Sequence, residues 1–484
     1  MVQTASPIHI GSRLELMVDE HLIERMSDGA KLHLHRPNIR EVVTVTDEPW
    51  EGNACPYRSV FQDGDLYRMY YGGYQYDVGE KTMSYPHSRF LCYAESKDGI
   101  HWTKPNLGLV EFKGSRKNNI ILSDDSVEAV EIDAVHVAVL KDENPDCNPD
   151  ARYKALAVGR NSHGLFALKS PDGIHFSLMS DKPIITKGAF DSQNLAFWDS
   201  VRGEYREYHR GFRDGVRDIL TATSKDFLNW TEPVWLNYPG APKEHLYTNQ
   251  IKPYYRAPHI FIGFPMRYQD RGWSESMRAL PGLELRERRS RISQRYGTAI
   301  TDGLFMTSRD GVNFKRWGEA FIRPGLRLKD NWVYGDNCTA WGIVETKSAI
   351  DDAPNELSIY ATESYWTGNS LSVRRFTLRI DGFVSVWGPL SGGEFVTKPL
   401  VFEGSKLVMN FSTSAAGSIQ VEIQDVGGKP FDGFALPDCP EIFGDAIERA
   451  VIWKDGSDVS KLAGKPIRLR FLIKDADLYS IHFK

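Results

Sequence analysis

The sequence predicts an all-β protein: a five-bladed β-propeller followed by a C-terminal β-sandwich. Three observations lead there. A short motif recurs four times, ten Asp-Gly pairs punctuate the 484 residues, and period-two apolar alternation runs through most of the chain. Ser96-Lys-Asp-Gly-Ile-His-Trp102 returns as Ser170-Pro-Asp-Gly-Ile-His-Phe176, Ser224-Lys-Asp-Phe-Leu-Asn-Trp230 and Ser308-Arg-Asp-Gly-Val-Asn-Phe314. Asp-Gly suits a tight turn: Gly tolerates positive φ, and the Asp side chain bonds to nearby backbone. An alternating strand precedes each copy, as in Phe90-Leu-Cys-Tyr-Ala94, and an aromatic residue ends it. Each copy therefore reads as the turn between two outer strands of a four-stranded blade.

Counting back from each turn places the inner strands. They begin near Tyr57, Ala134, Asn194, Thr248 and Thr339. The fifth blade lacks the Ser-x-Asp frame but keeps the strand rhythm, with Asp381-Gly382 before an outer strand over Phe383–Trp387. The propeller, as the catalytic domain, takes residues 51–390. Residues 1–50 hold strands that dock on it, and 391–484 alternate as a separate sandwich. The insertion Asp270–Gln294 carries Glu284/Arg288 and Glu287/Arg291 at helical spacing and reads as a charged helix, whose cluster of Arg286, Arg288, Arg289 and Arg291 suits a lid for an anionic, carboxylated or sulfated glycan, a solvated face or an oligomer contact.

Composition bounds the function. With 41% hydrophobic and 25% charged residues the chain can build a real core. A net charge of −5 argues against a nucleic-acid partner, and no apolar run is long enough for a membrane helix. Residues 1–16 lack the charged-then-apolar layout of a signal peptide, which fits a cytosolic protein or a secreted one after processing. The five scattered cysteines include no CxxC pair and read as core thiols.

A carboxylate stands just before each predicted inner strand: Glu51, Asp133, Asp191, Glu244 and Asp336. In a propeller these positions face one channel mouth. Carboxylates gathered there repel one another, so some are held protonated while others stay ionised. Glycosidic cleavage needs that split, with one group giving a proton to the leaving oxygen and another acting as nucleophile or base. Around them, Trp50, Tyr247, Trp332 and Trp366 offer flat faces for a sugar ring. Asn53, Asn249, Arg58 and Arg210 offer hydrogen bonds to its hydroxyls. His209 and His245 show no metal-ligand spacing, so no metal site and no resident cofactor is expected, although surplus carboxylates would suit a structural calcium ion.

On the blade pattern and the domain order, the chain resembles the five-bladed β-propeller glycoside hydrolase superfamily, within it family 32 most, and the stretches Arg295-Tyr-Gly-Thr-Ala-Ile-Thr-Asp-Gly303, Tyr334-Gly-Asp336 and Leu378-Arg-Ile-Asp-Gly-Phe-Val384 are similar to those of an uncharacterised bacterial group often labelled hydrolase-like. The resemblance implies a carbohydrate substrate and exo-action on a furanoside-type or related plant or algal oligosaccharide. It implies nucleophile or base for Glu51, substrate orientation for Asp133 and general acid for Asp191, with Asp336 and Glu244 as alternatives. Two other readings stay open. One is a propeller that binds glycans or a protein without cleaving. The other is a phosphate-dependent phosphorylase, with Arg58, Arg210 and Arg267 on phosphate.

Overall fold

The computed structural model describes residues 6–54, 56–124, 127, 128 and 130–484. The fold is all-β and of propeller type, with a strand-built C-terminal unit. Five antiparallel sheets follow one another along the chain. The first holds Arg58–Asp63, Leu66–Gly73, Phe90–Ser96 and Trp102–Thr103, with Ile120–Ser123 added beside Phe90–Ser96. The second runs Ile132–Lys141, Tyr153–Gly159, Leu165–Ser170, Ser177–Leu178. The third runs Leu195–Asp199, Glu204–Arg213, Val216–Ser224, Val234–Trp235. The fourth is split. Lys252–Tyr254, Ala257–Gly263, Met306–Ser308 and Phe314–Arg316 form one part, and His245–Leu246, Met266–Asp270 and Ala299–Gly303 the other.

The Ser-x-Asp turns form as their chemistry requires. Ser96 Oγ accepts from Gly99 N at 2.9 Å, and Asp98 Oδ1 accepts from the backbone of Ile100 and His101, each at 2.8 Å. The other three copies repeat this pattern. The third copy has Phe227 where the others have Gly, yet keeps φ +70°, because its ring is fully buried between Tyr205 and Trp230. Three of the turns also seat on the preceding sheet by hydrogen bonds. Tyr360 of the fifth sheet donates to Gly99 O, Arg68 of the first to Asp172 O, and Tyr208 of the third to Gly311 O. Tyr254 of the fourth donates to Asp381 Oδ1 at 2.7 Å, so Asp381 serves the fifth sheet in the same way.

Buried polar side chains join the first strands of these sheets. Ser59 Oγ accepts from Val139 N at 3.1 Å and from Gln193 Nε2 at 3.2 Å. Gln250 Nε2 donates to Gln193 Oε1 at 2.9 Å and to Thr339 O at 2.7 Å, and Trp341 N donates to Arg58 O at 2.8 Å. These bonds satisfy groups that burial would otherwise penalise.

The fifth sheet differs from expectation. It runs Val344–Thr346, Glu356–Glu363, Ser372–Arg379 and then Asn38–Val45 from the N-terminal segment. The predicted outer strand after Asp381-Gly382 instead becomes Val384–Gly388 of the C-terminal sheet, between Lys31–Leu34 and Arg468–Phe483. Burial explains the exchange. Phe383, Val384 and Val386 are fully buried and need cover on both faces, whereas Asn38–Val45 is largely exposed and suits an outer edge.

The C-terminal unit is built on two long paired strands, Leu407–Gln424 and Arg468–Phe483. Their register breaks between Thr413 and Ser418, where a paired strand bends. Stacked pairs Phe395–Phe471 and Phe402–Phe483 lie in its core. Glu15–Leu16, Ile23–Ser27 and Lys31–Leu34 also join this sheet, so residues before 46 serve both units. Among the described residues no helix is long and apolar enough to cross a membrane. Cys147 and Cys439 carry free thiols, and Cys55 lies outside the described residues.

Candidate active site

One cavity of about 190 Å³ receives side chains from all five sheets. Antiparallel order explains why. The segment before a sheet's first strand and the segment after its second strand lie at the same end of the sheet. Tyr57 enters from before the first sheet, and Tyr74 and Tyr76 from after its second strand. His136, Asp191, Tyr247 and Tyr334 come from the later sheets, and Tyr365 and Trp366 follow Glu356–Glu363. Arg295 and Tyr296 arrive from the helical insertion.

His136 faces the cavity because its strand is irregular. Pairing with Tyr153–Gly159 slips between Asp133 and Ala138, and such a bulge re-aims side chains. His136 Nδ1 lies 2.8 Å from Asp133 Oδ2, and Arg89 Nη1 reaches the same oxygen at 2.9 Å. Arg89 Nε also donates to Asp124 Oδ2 at 2.6 Å. Burial alone would raise the Asp133 carboxyl, but His136 and Arg89 hold it down to about 2. Asp133 is thus an ionised anchor that fixes two cavity-lining groups from behind.

Asp191 is the carboxylate on the cavity wall. Its side chain is 72% exposed and ion-pairs with Arg210, which is 2% exposed. Arg210 packs 4.7 Å over the ring of Tyr247, whose hydroxyl accepts from Tyr334 at 2.7 Å. Burial would raise the Tyr247 phenol, but Arg210, the Tyr334 hydrogen bond and Arg217 bring it below its ordinary value. Trp366 lines the cavity with φ +62°, its ring covered by Arg289 at 4.3 Å.

The five predicted carboxylates do not converge on this cavity. Glu51 is fully buried away from it, where it takes Lys104 Nζ at 2.7 Å, Glu48 N at 3.0 Å and the Tyr71 hydroxyl. Burial pushes its carboxyl up, against Lys104. Glu244 pairs with Arg267 at 3.0 Å and with Arg316, beside a different surface pocket. Asp336 is buried behind Gly335 and Tyr365, and its Oδ1 accepts from Tyr365 N at 2.9 Å. Burial pushes the Asp336 carboxyl well above its ordinary value. The physical reason for the dispersal is that a pre-strand residue can turn to either side of its loop, where a nearby cation or, for Asp336, a backbone amide captures it.

Other predicted groups divide likewise. Asn53 staples a loop, donating to Tyr76 O at 3.0 Å and Gly368 O at 2.6 Å while accepting from Tyr76 N. Trp50 Nε1 donates to Asn119 Oδ1 at 2.7 Å and packs on Phe112, outside the cavity lining. Arg58 bonds to Pro56 O and Thr362 Oγ1. Asn249 caps backbone of the third and fourth sheets. Trp332 donates to Gly325 O beside the Glu244 pocket. Arg267, held by Glu244 and Asp302, does not join Arg58 and Arg210 in one phosphate site. In the insertion, the helix Leu283–Ser290 buries Arg286 and Arg289 rather than presenting them to solvent.

Sequence reasoning passed over Arg89, His136, Arg295 and the tyrosines other than Tyr247. The signal for the tyrosines was their placement after second strands, as in Tyr74 and Tyr365. Among the described residues one group, His33, His35 and Asp477 on the C-terminal sheet, brings ligand atoms within 4.8 Å. Two imidazoles suit a zinc-like ion better than calcium.

No family model matches the chain. A stretch of 62 residues is 42% identical to uncharacterized proteins from two strains of Mycobacterium tuberculosis, over 13% of this chain. The match spans about a fifth (20%) of the length of those curated relatives. Among solved structures, an N-acetylgalactosamine deacetylase from F. plautii is similar at 12% identity and TM-score 0.43, over 72% of this chain and 96% of that one. An endo-arabinase from Bacteroides thetaiotaomicron is similar at 11% identity and TM-score 0.41, over 70% and 98%. A GH32 β-fructofuranosidase of Bombyx mori is similar at 11% identity and TM-score 0.40, over 93% and 94%.

Proposed function

We propose that the chain is a glycoside hydrolase that acts at a chain end, with Asp191 as the carboxylate that meets the substrate. The observation that carries this reading is the pairing of an open carboxylate, Asp191, with a cavity-facing histidine, His136, that a second carboxylate orients. Glycosidic cleavage needs one group to protonate the leaving oxygen and one ionised group to attack or to activate water. The ion pair with Arg210 holds Asp191 open at the cavity wall, which suits it to the second role. His136 handles the proton, and its ion pair with Asp133 holds it at the cavity wall.

The cavity's size supports exo-action. Pockets for drug-sized ligands run to roughly 300–1,000 Å³, and this one, at about 190 Å³, suits a single terminal sugar. Its aromatic walls complement the C–H faces of such a ring. A furanoside-type residue from a plant or algal oligosaccharide is the substrate that the sequence resemblance adds.

The test is turnover of a panel of aryl glycosides and oligosaccharides by the wild type, Asp191→Asn and His136→Gln. The reading expects both variants to stay folded and lose turnover. Full activity in both removes this site. A second reading, a sugar-binding propeller without catalysis, is favoured by the capture of Glu51 and Glu244 in ion pairs away from the cavity. Saturable sugar binding with no turnover of any substrate would establish it. Dependence of turnover on inorganic phosphate would instead identify a phosphorylase.

A further inference from the structure

The positive charge around the cavity exceeds what its carboxylates neutralise. Arg89 is matched by Asp124 and Asp133, and Arg210 by Asp191. Arg217 and Arg295 differ: among the described residues neither forms an ion pair. Arg217 lies 4.8 Å from the ring centroid of Tyr268 and 5.1 Å from that of Tyr247. Arg295 lines the cavity and packs 4.7 Å from the centroid of Tyr296.

Both arginines also keep a buried donor idle. Arg217 Nε and Arg295 Nη1 have no acceptor among the described residues. A buried charged donor left without an acceptor is costly, so Arg295 in the cavity lining, with Arg217 behind Tyr247, points to an acceptor that arrives from outside. A guanidinium fork fits planar carboxylate and tetrahedral sulfate or phosphate, and aromatic packing holds its plane in place.

We propose that the cavity recognises a sugar that bears an oxyanion, with Arg295 binding that group and Arg217 supplying a second positive charge behind Tyr247. The shared chemistry is a carboxylate, sulfate or phosphate ester on the ring. This rests on the glycoside reading only for the sugar itself. The charge argument is independent of whether a bond is cleaved.

Calorimetry at low salt compares glucose with glucuronate, glucose 6-sulfate and glucose 6-phosphate on the full chain. At least one anionic sugar is expected to bind about tenfold or more tightly than glucose, with the three arms showing which oxyanion fits. Added salt should erode the advantage. Arg295→Gln should abolish it, while Arg295→Lys, which keeps the charge and loses the fork, should retain part. Equal affinity for all four sugars, no binding of any, or an advantage unchanged in Arg295→Gln overturns the proposal. Turnover is read separately. An anionic sugar bound but never cleaved sinks the hydrolase reading alone, and cleavage of neutral glycosides without an anionic preference sinks this proposal alone.

Discussion

Arg210 is 2% exposed, yet its guanidinium ion-pairs with Asp191, whose side chain is 72% exposed on the cavity wall. The buried member holds the open one in place. Replacing the two should therefore give different results. Asp191→Asn should lower turnover by about 100-fold or more, as loss of a group that attacks or activates water does, at a stability cost of about 1–2 kcal/mol for the weakened buried donor. Arg210→Ala should cost about 3 kcal/mol, because it empties a packed space against Tyr247. Steady-state kinetics and urea unfolding check both. Normal turnover by Asp191→Asn would move the reaction elsewhere.

Asp133 gives the fold an acid-sensitive element. Its carboxyl is held down to about 2, against an ordinary 3.8, by His136 and Arg89. A group whose folded pKa is depressed stabilises the fold above its unfolded value. That contribution is lost as pH falls from about 3.8 toward 2. The difference is worth about 2 kcal/mol. Asp133→Asn should be less stable than wild type near neutral pH, and the gap should narrow as the pH approaches 2. A gap that stays constant over that range would show that Asp133 is not the titrating group.

Glu51 is expected to matter to stability and not to chemistry. It is fully buried with Lys104, Tyr71 and the Glu48 amide, away from the cavity lining. Burial already pushes its carboxyl up, so a neutral amide is tolerated there better than at most buried ion pairs. Glu51→Gln should cost about 1–2 kcal/mol and leave kcat of the folded protein within about twofold of wild type. A large drop in kcat with an intact fold would restore Glu51 to the reaction.

The repeated turns predict a structural effect that recurs. Asp98 accepts two backbone N–H groups and the His101 ring, while Ser96 accepts the Gly99 amide. Asp98→Ala should cost about 1–2 kcal/mol through loss of those acceptors. The equivalent changes at Asp172 and Asp310 should cost about the same. Denaturant midpoints measured on the three variants settle it. Three unrelated costs would mean that the copies differ in load despite their shared geometry.

The insertion and the fifth sheet show where sequence reasoning stops. Ser-x-Asp turns and alternating strands are local devices, readable because side chain and backbone partner lie within about four residues. The pairing of Asn38–Val45 with Ser372–Arg379 is not local, and nothing near residue 38 announces a partner more than 300 positions away. The helical charge spacing of Glu284/Arg288 and Glu287/Arg291 reads as a solvated face, yet tertiary packing buries Arg286 and Arg289 of the same helix.

The candidate site divides on the same line. Five carboxylates at equivalent places were visible, and with them Asp191, Tyr247 and Trp366 of the cavity wall. Which carboxylates reach the cavity was decided by neighbours distant in sequence: Lys104 for Glu51, Arg316 for Glu244, and Arg210 for Asp191. His136 depends on a bulge, and Arg89 on a carboxylate 44 residues away. The sequence by itself determined the strand rhythm, the turns and the kind of chemistry carried. Only the tertiary structure decided which charges stay open to a substrate, because an ion pair forms with whichever opposite charge the fold brings near, at whatever separation along the chain.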